Sequence, residues 1–501
     1  MGYEVHFFGW YSHYHYSTQQ RKIMYQLSKQ LIDELQQQNI VYCHWKSNLL
    51  LNEALNGYDD LDLLVRKEDL AKFESAILSM GFKEGSNKNI SFSSVKHFYG
   101  YDSQSGNILH LHVYYQMKSG PSWTKSMRFD FEPYFLENLM LHESGMPVPL
   151  KHIELAIFIF RIMLKYSKFN EFILVSKEHE RTLKEIEYLQ KEMDEEGLKE
   201  FLEIYFNNIS VSELYNYIGV IQKSSGLEKY LYGKKVRSKL SNYKYLSGLE
   251  EDLNSIKQFG YRVLNRLFFK QKKKLHSAGM MIVVAGLDAT GKTTITTELK
   301  KWLGKNLTIS LIHFGKPPST WRTYPMNLLI TLMRKNVEDS NLKSSIQKED
   351  GAKSLLYIIR QVVLAYDRHL LAKKYWKKAS SGELVLIDRY KSEDYGVMDS
   401  KRLNPIYYHG LKLKLVKLEN RLYDMMPTPD ILFYLTVPTE VAVVRNEERI
   451  KEGKESEAFI RIRHDQNKNL TYQANYTYRI NTDQPYEEEI REIKSKIWGL
   501  L

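Results

Sequence analysis

Met280-Met281-Ile282-Val283-Val284-Ala285-Gly286-Leu287-Asp288-Ala289-Thr290-Gly291-Lys292-Thr293-Thr294 reads as a strand, a tight loop and the start of a helix in one run. Met280 to Ala285 is apolar without alternation, the pattern of a strand covered on both faces in a parallel sheet. Gly286 to Thr293 then satisfies G-x-x-x-x-G-K-[ST], and helical spacing continues to Leu303. The chemistry requires these residue types. Glycines let the backbone curl so that consecutive N–H groups face phosphate oxygens, and the helix start adds a potential that favours anions. Lys292 reaches terminal phosphates, and the Thr293 hydroxyl is placed to ligate magnesium. The flanking strand and helix separate this reading from that of a glycine-containing turn with a chance lysine.

Downstream, Ala365-Tyr366-Asp367-Arg368 sits within an apolar helical stretch, and Leu384-Val385-Leu386-Ile387-Asp388-Arg389-Tyr390 has strand character. Pro427-Thr428-Pro429-Asp430 leads into a strand from Ile431 to Leu435, followed by a basic helix-loop from Val441 to Arg463 and a closing Ile480-Asn481-Thr482 strand with a final helix. In order and spacing these motifs resemble the thymidylate kinase family over Met280 to Leu501. The resemblance implies an α/β fold, a P-loop parallel sheet flanked by helices, with ATP and Mg2+ as cofactors. It implies that Gly286, Asp288, Gly291, Lys292, Thr293 and Thr294 bind the nucleotide, with Asp288 also orienting the acceptor sugar. Arg368 and Arg389 would hold the acceptor phosphate, and Asp388, at a strand end, would hold magnesium through water. Positioned guanidiniums suit this task because two like-charged phosphates must be brought together in line. Ordinary surface charge is the plain alternative for Asp367 with Arg368 and for Asp388 with Arg389.

Leu287 to Thr290 contains no basic residue, so the cation that meets the transition state must come from elsewhere. Arg445, Arg449, Lys451, Lys454, Arg461 and Arg463 cluster where this family has its mobile lid; Arg445 and Arg449 are the catalytic candidates, against a solvated charged helix. In place of the family's Arg-Glu-Pro-Gly-Gly loop stands His313-Phe314-Gly315-Lys316-Pro317-Pro318, followed by an insertion-like stretch from Trp321 to Gly351. An altered acceptor pocket follows.

Upstream, Asp60-Leu61-Asp62-Leu63-Leu64-Val65 reads as a strand carrying two carboxylates on one face. Preceded by Lys46-Ser47, the pair resembles the polymerase-β-like nucleotidyltransferase family, which implies that Asp60 and Asp62 bind divalent metals and that a third carboxylate stands on a neighbouring strand. At that place the chain has Ile108-Leu109-His110-Leu111-His112-Val113. Surface acids at a strand start are the alternative.

At 501 residues the chain suits several domains: an α+β nucleotidyltransferase-like domain over 1–150, a helical extension over 151–257, a basic linker over 258–278 and the P-loop domain over 279–501. With 43% apolar and 26% charged residues it has ordinary globular composition, and no apolar run long enough to span a membrane. A single cysteine, Cys43, and a start without a basic region and apolar run point to the cytoplasm. The net charge of +12 suits phosphate-bearing ligands, nucleic acid or an anionic membrane, with no specific nucleic-acid signal. Gln258 to Lys274 is basic, without acids, and places Phe259, Val263, Leu264, Leu267 and Phe268 on one helical face. That face reads either as an interdomain helix packed on one module or as peripheral contact with an anionic membrane. A homodimer is compatible with the sequence.

Taken together, the residues point to ATP- and Mg-dependent phosphoryl transfer to a nucleoside monophosphate or other phosphorylated small-molecule acceptor. The competitors are nucleotidyl transfer through Asp60 and Asp62 to a small hydroxyl or phosphate, and a nucleotide-regulated binding protein.

Overall fold

A computed structural model describes residues 24–168, 179–224, 226–315, 317–321, 323–325, 328, 353–397, 399–448, 456–467 and 470–501. The chain's first residues, Arg449, Lys451 and Lys454 of the basic helix-loop, and Lys316, Arg322, Arg334 and Lys335 lie outside the described residues.

The N-terminal half opens with α1 (Gln26–Gln37), β1 (Tyr42–His44), α2 (Leu51–Leu55), β2 (Leu61–Val65), α3 (Leu70–Ser79), β3 (Lys83–Ser86), β4 (Val95–Asp102) and β5 (Asn107–Tyr114). Two short hairpins follow, β6 (Met117–Ser119) with β7 (Met127–Phe129) and β8 (Leu139–Leu141) with β9 (Pro147–Pro149), separated by α4 (Glu132–Glu137). The strands order as β1-β2-β5-β4-β3, closed at the edge by β10 (Lys274–Leu275). Only β2 and β5 run parallel; their register sets Asp62 opposite His112. Leu31, Leu35, Leu55, Leu63, Phe73 and Ile77 fill one face of this sheet. The other face meets a helical layer, α5 (Lys151–Tyr166), α6 (His179–Gln190), α7 (Glu195–Tyr205), α8 (Val211–Lys223) and α9 (Gly226–Lys239), through Trp45, Leu64, Tyr114 and the apolar side of α5.

α10 (Gly248–Leu264) runs through the expected boundary at residue 258. Its start is fixed by a capping box in which Ser247 Oγ accepts from the Glu250 amide at 3.2 Å and the Glu250 carboxylate accepts from the Ser247 amide at 2.8 Å. The expectation that its apolar face packs on one module is corrected here: Phe259, Val263, Leu264, Leu267 and Phe268 are all exposed.

The C-terminal half contains β11 (Met280–Gly286), α11 (Lys292–Gly304), β12 (Ile309–His313), α12 (Leu355–Ala379), β13 (Leu384–Asp388), α13 (Gly410–Asp424), β14 (Ile431–Thr436), α14 (Thr439–Glu447), α15 (Glu457–Gln466), β15 (Tyr476–Asn481) and α16 (Tyr486–Leu500). Its sheet is parallel throughout, in the order β12-β13-β11-β14-β15. The largely unbroken apolar runs of the three inner strands, β13, β11 and β14, follow from burial on both faces. Chain order reverses about β11, which opens a crevice at the carboxyl ends of the strands.

One core crosses between the halves. Tyr99, Ile108 and Leu275 pack with Leu303, Leu307 and Trp498. The Trp302 ring lies 5.6 Å from Tyr101, and the Trp498 indole donates to the Gly81 carbonyl at 3.1 Å.

Candidate active site

Gly286 ends β11 with φ +151°, and a Cβ there would stand 2.7 Å from Thr290 Oγ1 and 2.8 Å from the Leu435 carbonyl. Gly291, at φ +84°, turns the chain into α11. Both glycines are therefore required by the loop's geometry. Inside the loop, Thr290 Oγ1 donates to the Leu287 carbonyl at 2.8 Å, and the buried Lys292 ammonium donates to the same carbonyl. Thr293 and Thr294 are exposed in the first turn of α11, where helix N–H groups lack intrahelical partners.

Asp288 is the hub of the crevice. Arg463 of α15 forms an ion pair with its carboxylate, the Arg389 guanidinium approaches to 3.7 Å, and the His464 ring stands 3.1 Å from its main-chain carbonyl. Burial pushes the Asp288 carboxyl upward, but the charges of Arg463, Lys292 and Arg389 outweigh it and hold it below its ordinary value. Arg389 itself follows β13 with φ +71°, a left-handed conformation that a non-glycine residue adopts at a cost; such strain gathers at functional sites. Beside it, Asp388 Oδ2 lies 2.7 Å from His313 Nδ1, while Oδ1 is buried with no hydrogen-bond partner among the described residues.

Arg368, from the middle of α12, is 5% exposed and heavily engaged. It donates to Tyr423 Oη at 2.7 Å, the Gly315 carbonyl at 2.8 Å, the Phe314 carbonyl at 3.3 Å and Asp399 at 2.6 Å. Asp399 also lies 3.6 Å from Arg389, so one buried carboxylate joins the two arginines. Asp367 faces elsewhere and accepts from the Thr323 hydroxyl at 2.7 Å. The two lid candidates separate: Arg445 donates to Thr482 Oγ1 at 3.1 Å and to the Thr482 carbonyl at 2.7 Å, and Arg449 lies outside the described residues. Among the described residues of this segment, Arg463 is the arginine that reaches the loop. The sequence placed it in the lid cluster without distinguishing it; Asp399 and His464 carried no motif.

In the N-terminal half, Asp60 Oδ1 lies 2.5 Å from His110 Nδ1, and Asp62 lies 3.0 Å from His112 Nδ1 and 2.8 Å from the Lys46 ammonium. His110 Nε2 continues to His97 Nδ1 at 3.1 Å. Lys46 and Lys125 converge on Tyr114 Oη at 3.0 and 2.8 Å. Burial dominates the titration of this cluster: it lowers Lys46 to about 8 and His112 to about 3, while Asp60 falls to about 2 because His110 outweighs its own desolvation. The histidines stand on the neighbouring strand where a third carboxylate was expected, and each aspartate is paired with one of them. Among the described residues no group of three or more His, Cys, Asp or Glu side chains is disposed to hold a metal ion, and the two aspartates are committed to imidazoles and an ammonium.

A phosphate-binding loop at the carboxyl end of the central parallel strand, met by arginines from an adjacent strand and an overlying helix, defines a P-loop phosphotransferase. Sequence comparison places it further. The sequence model of the thymidylate kinase family matches residues 284–493, so the C-terminal half is similar to that family, which supports a nucleoside monophosphate kinase phosphotransferase. The thymidylate kinase of Prochlorococcus marinus (strain MIT 9312) is 28% identical over 180 residues, 36% of this chain and 76% of that protein. That of Clostridium novyi (strain NT) is 26% identical over 223 residues, 43% of this chain and 97% of that protein. Among solved structures, deoxyadenosine kinase from M. mycoides with bound dATP aligns with 19% identity and a TM-score of 0.25, over 44% of this chain and 99% of that one. No described helix is long and apolar enough to cross a membrane.

Proposed function

We propose that the C-terminal domain is a cytoplasmic ATP-dependent kinase that phosphorylates a nucleoside monophosphate of the thymidylate type. An oxygen of the acceptor phosphate attacks the γ-phosphorus of ATP, the bond from that phosphorus to the β–γ bridging oxygen breaks, and ADP leaves. The observation that carries this reading is the convergence of Lys292, Arg389 and Arg463 on Asp288 at the mouth of the loop. Lys292 neutralises the phosphates of ATP, Arg463 brings cationic charge from the overlying helix, and Arg389 receives the acceptor phosphate. Arg368 acts through Asp399 and the Phe314 and Gly315 carbonyls, which it holds in place beside Arg389. The donor set suits magnesium: the Thr293 hydroxyl lies in the first turn of α11, and Asp388 Oδ1 is buried with no hydrogen-bond partner among the described residues. When bound, magnesium supplies charge neutralisation on the phosphate oxygens.

An acceptor screen with ATP and magnesium tests this, reading ADP release and product mass for thymidylate, other nucleoside monophosphates and sugar phosphates. Thymidine diphosphate is the expected product from thymidylate. The Lys292→Ala protein should bind the acceptor yet form no product; undiminished turnover would refute the reading.

A second reading concerns the N-terminal half. Lys46 and Lys125 meet on one hydroxyl beside Asp62, and this pair of amines supports a seat for a phosphate-bearing small molecule, whose charge would favour their protonated forms. Pyrophosphate titrated calorimetrically into the Lys292→Ala protein should give a binding heat that Lys125→Met removes. Equal heats in the two proteins would discard it.

A further inference from the structure

α10 is mounted inside out. Its polar side faces the body of the protein: Glu251 is fully buried and pairs with Arg237, Gln258 donates to the Asn89 carbonyl at 2.6 Å, and the Arg262 guanidinium lies 5.7 Å from the Trp123 ring. Tyr261 Oη accepts from the Asn87 amide at 3.2 Å on the same side. The opposite side, and the turn of Asn265–Phe269 that prolongs the helix, is apolar and open to solvent. Leu249, Leu253, Ile256 and Leu267 recur at helical spacing, and Leu249 is 80% and Phe268 71% exposed. Soluble helices place these faces the other way round, and an apolar stripe of this length marks an interaction surface.

We propose that this stripe docks the protein on an anionic membrane surface. The charge pattern identifies the partner. Lys257 and Arg266 flank the stripe on its two sides, Lys270 ends it, all three are exposed, and no Asp or Glu occurs between residues 253 and 275. The acids at the start of the helix are spent internally: Glu250 caps it, Glu251 pairs with Arg237, and Asp252 pairs with Lys168 at 2.8 Å. A second copy seated on the same stripe would bring the two sets of flanking cations together, whereas acidic headgroups meet both flanks and the acyl boundary accepts the leucines and phenylalanines. The helix lies in the interface plane with its apolar side down, fixed to the body of the protein by its contacts with Asn87, Asn89 and Trp123.

Co-sedimentation of the full chain with vesicles decides this, using phosphatidylcholine alone and phosphatidylcholine mixed with phosphatidylglycerol. The wild type should pellet with the mixed vesicles and stay in solution with the neutral ones. Ile256→Asp with Leu267→Asp, and separately Arg266→Glu with Lys270→Glu, should each weaken the partition by roughly tenfold or more. Kinase turnover without vesicles should be unchanged in both, which shows that they fold. Absence of wild-type binding to the acidic vesicles, or equal binding to neutral ones, overturns the proposal. A wild-type dimer that Ile256→Asp with Leu267→Asp converts to monomer overturns it too, by assigning the stripe to a second copy.

Discussion

Asp399→Asn isolates the charge that joins the two arginines of the crevice. Asp399 and Arg368 are 4% and 5% exposed, and their contact is 2.6 Å long. Asp399 has φ +67°, and asparagine is among the few residues at ease in that region, so the backbone keeps its course. The variant retains an acceptor oxygen for Arg368 but no negative charge, leaving a buried guanidinium without its counter-ion. Removing one member of a buried pair costs about 3–5 kcal/mol; with the hydrogen bond kept, about 3 kcal/mol is expected. For a domain of this size that loss lowers the thermal midpoint by roughly 6–12 °C. A looser Arg368 also releases the Phe314 and Gly315 carbonyls beside Arg389, so KM for the acceptor should rise more than KM for ATP. Scanning calorimetry and initial rates with each substrate varied measure both effects. A midpoint within about 2 °C of wild type, or equal changes in the two KM values, would refute the claim that this carboxylate holds the acceptor side together.

Arg463→Ala should leave folding intact and reduce turnover by about a thousandfold, because it removes the overlying cation that reaches the loop; single-turnover rates at saturating ATP check this, and a loss confined to KM contradicts it. Arg445→Ala, whose guanidinium is spent on Thr482, should cost far less in the same assay. Glu154, buried in α5, is pushed up by desolvation to about 8 despite hydrogen bonds from Asn48. Its carboxyl ionises near 4.5 in the unfolded chain, so between that value and about 8 the folded protein holds the extra proton and stability falls as pH rises. The gap corresponds to roughly 5 kcal/mol. Urea midpoints of Glu154→Gln should be correspondingly flatter across that range; a slope like that of wild type would show that the group is ionised throughout.

Much of the crevice was legible because a phosphate loop is written locally: strand, glycines, lysine and helix are contiguous, and each obeys a short-range rule. Asp388 and Arg389 were legible for the same reason, as the end of a strand. Asp399 was not, since its significance arises only when the 391–404 segment folds back on α12. The pairing of Asp60 with His110 and Asp62 with His112 was half visible. Alternation places both carboxylates on one face and both histidines on one face, but the parallel register that brings them together is tertiary. Periodicity likewise gave α10 its two faces without saying which turns inward. The buried Glu251–Arg237 pair and the Asn87 and Asn89 contacts settle that, and no one-dimensional pattern contains them.

Separate cores for the two halves were expected from their distance in sequence, and the structure instead joins them in a shared core to which β10, α11 and α16 contribute. α11 begins at Lys292, under the phosphate loop, and ends near Lys305, whose ammonium donates to the Gly57 carbonyl at 2.9 Å, just ahead of Asp60. At 1.5 Å per residue the helix spans about 20 Å between the two clusters. Trp302 on its last turn lies among Tyr101 and Trp498, so the helix cannot shift without disturbing a core shared by both halves. A rigid connection is not coupling: two sites influence each other only when ligand at one biases an arrangement that the other also reads. A shift of α11 on phosphate binding would be felt at both Asp288 and Gly57, because its first turn belongs to the loop and the residue just beyond its last turn to the N-terminal contact. The two clusters are therefore held at a fixed separation by a shared core, and α11 is one physical route along which ligand binding at the loop would reach the N-terminal half.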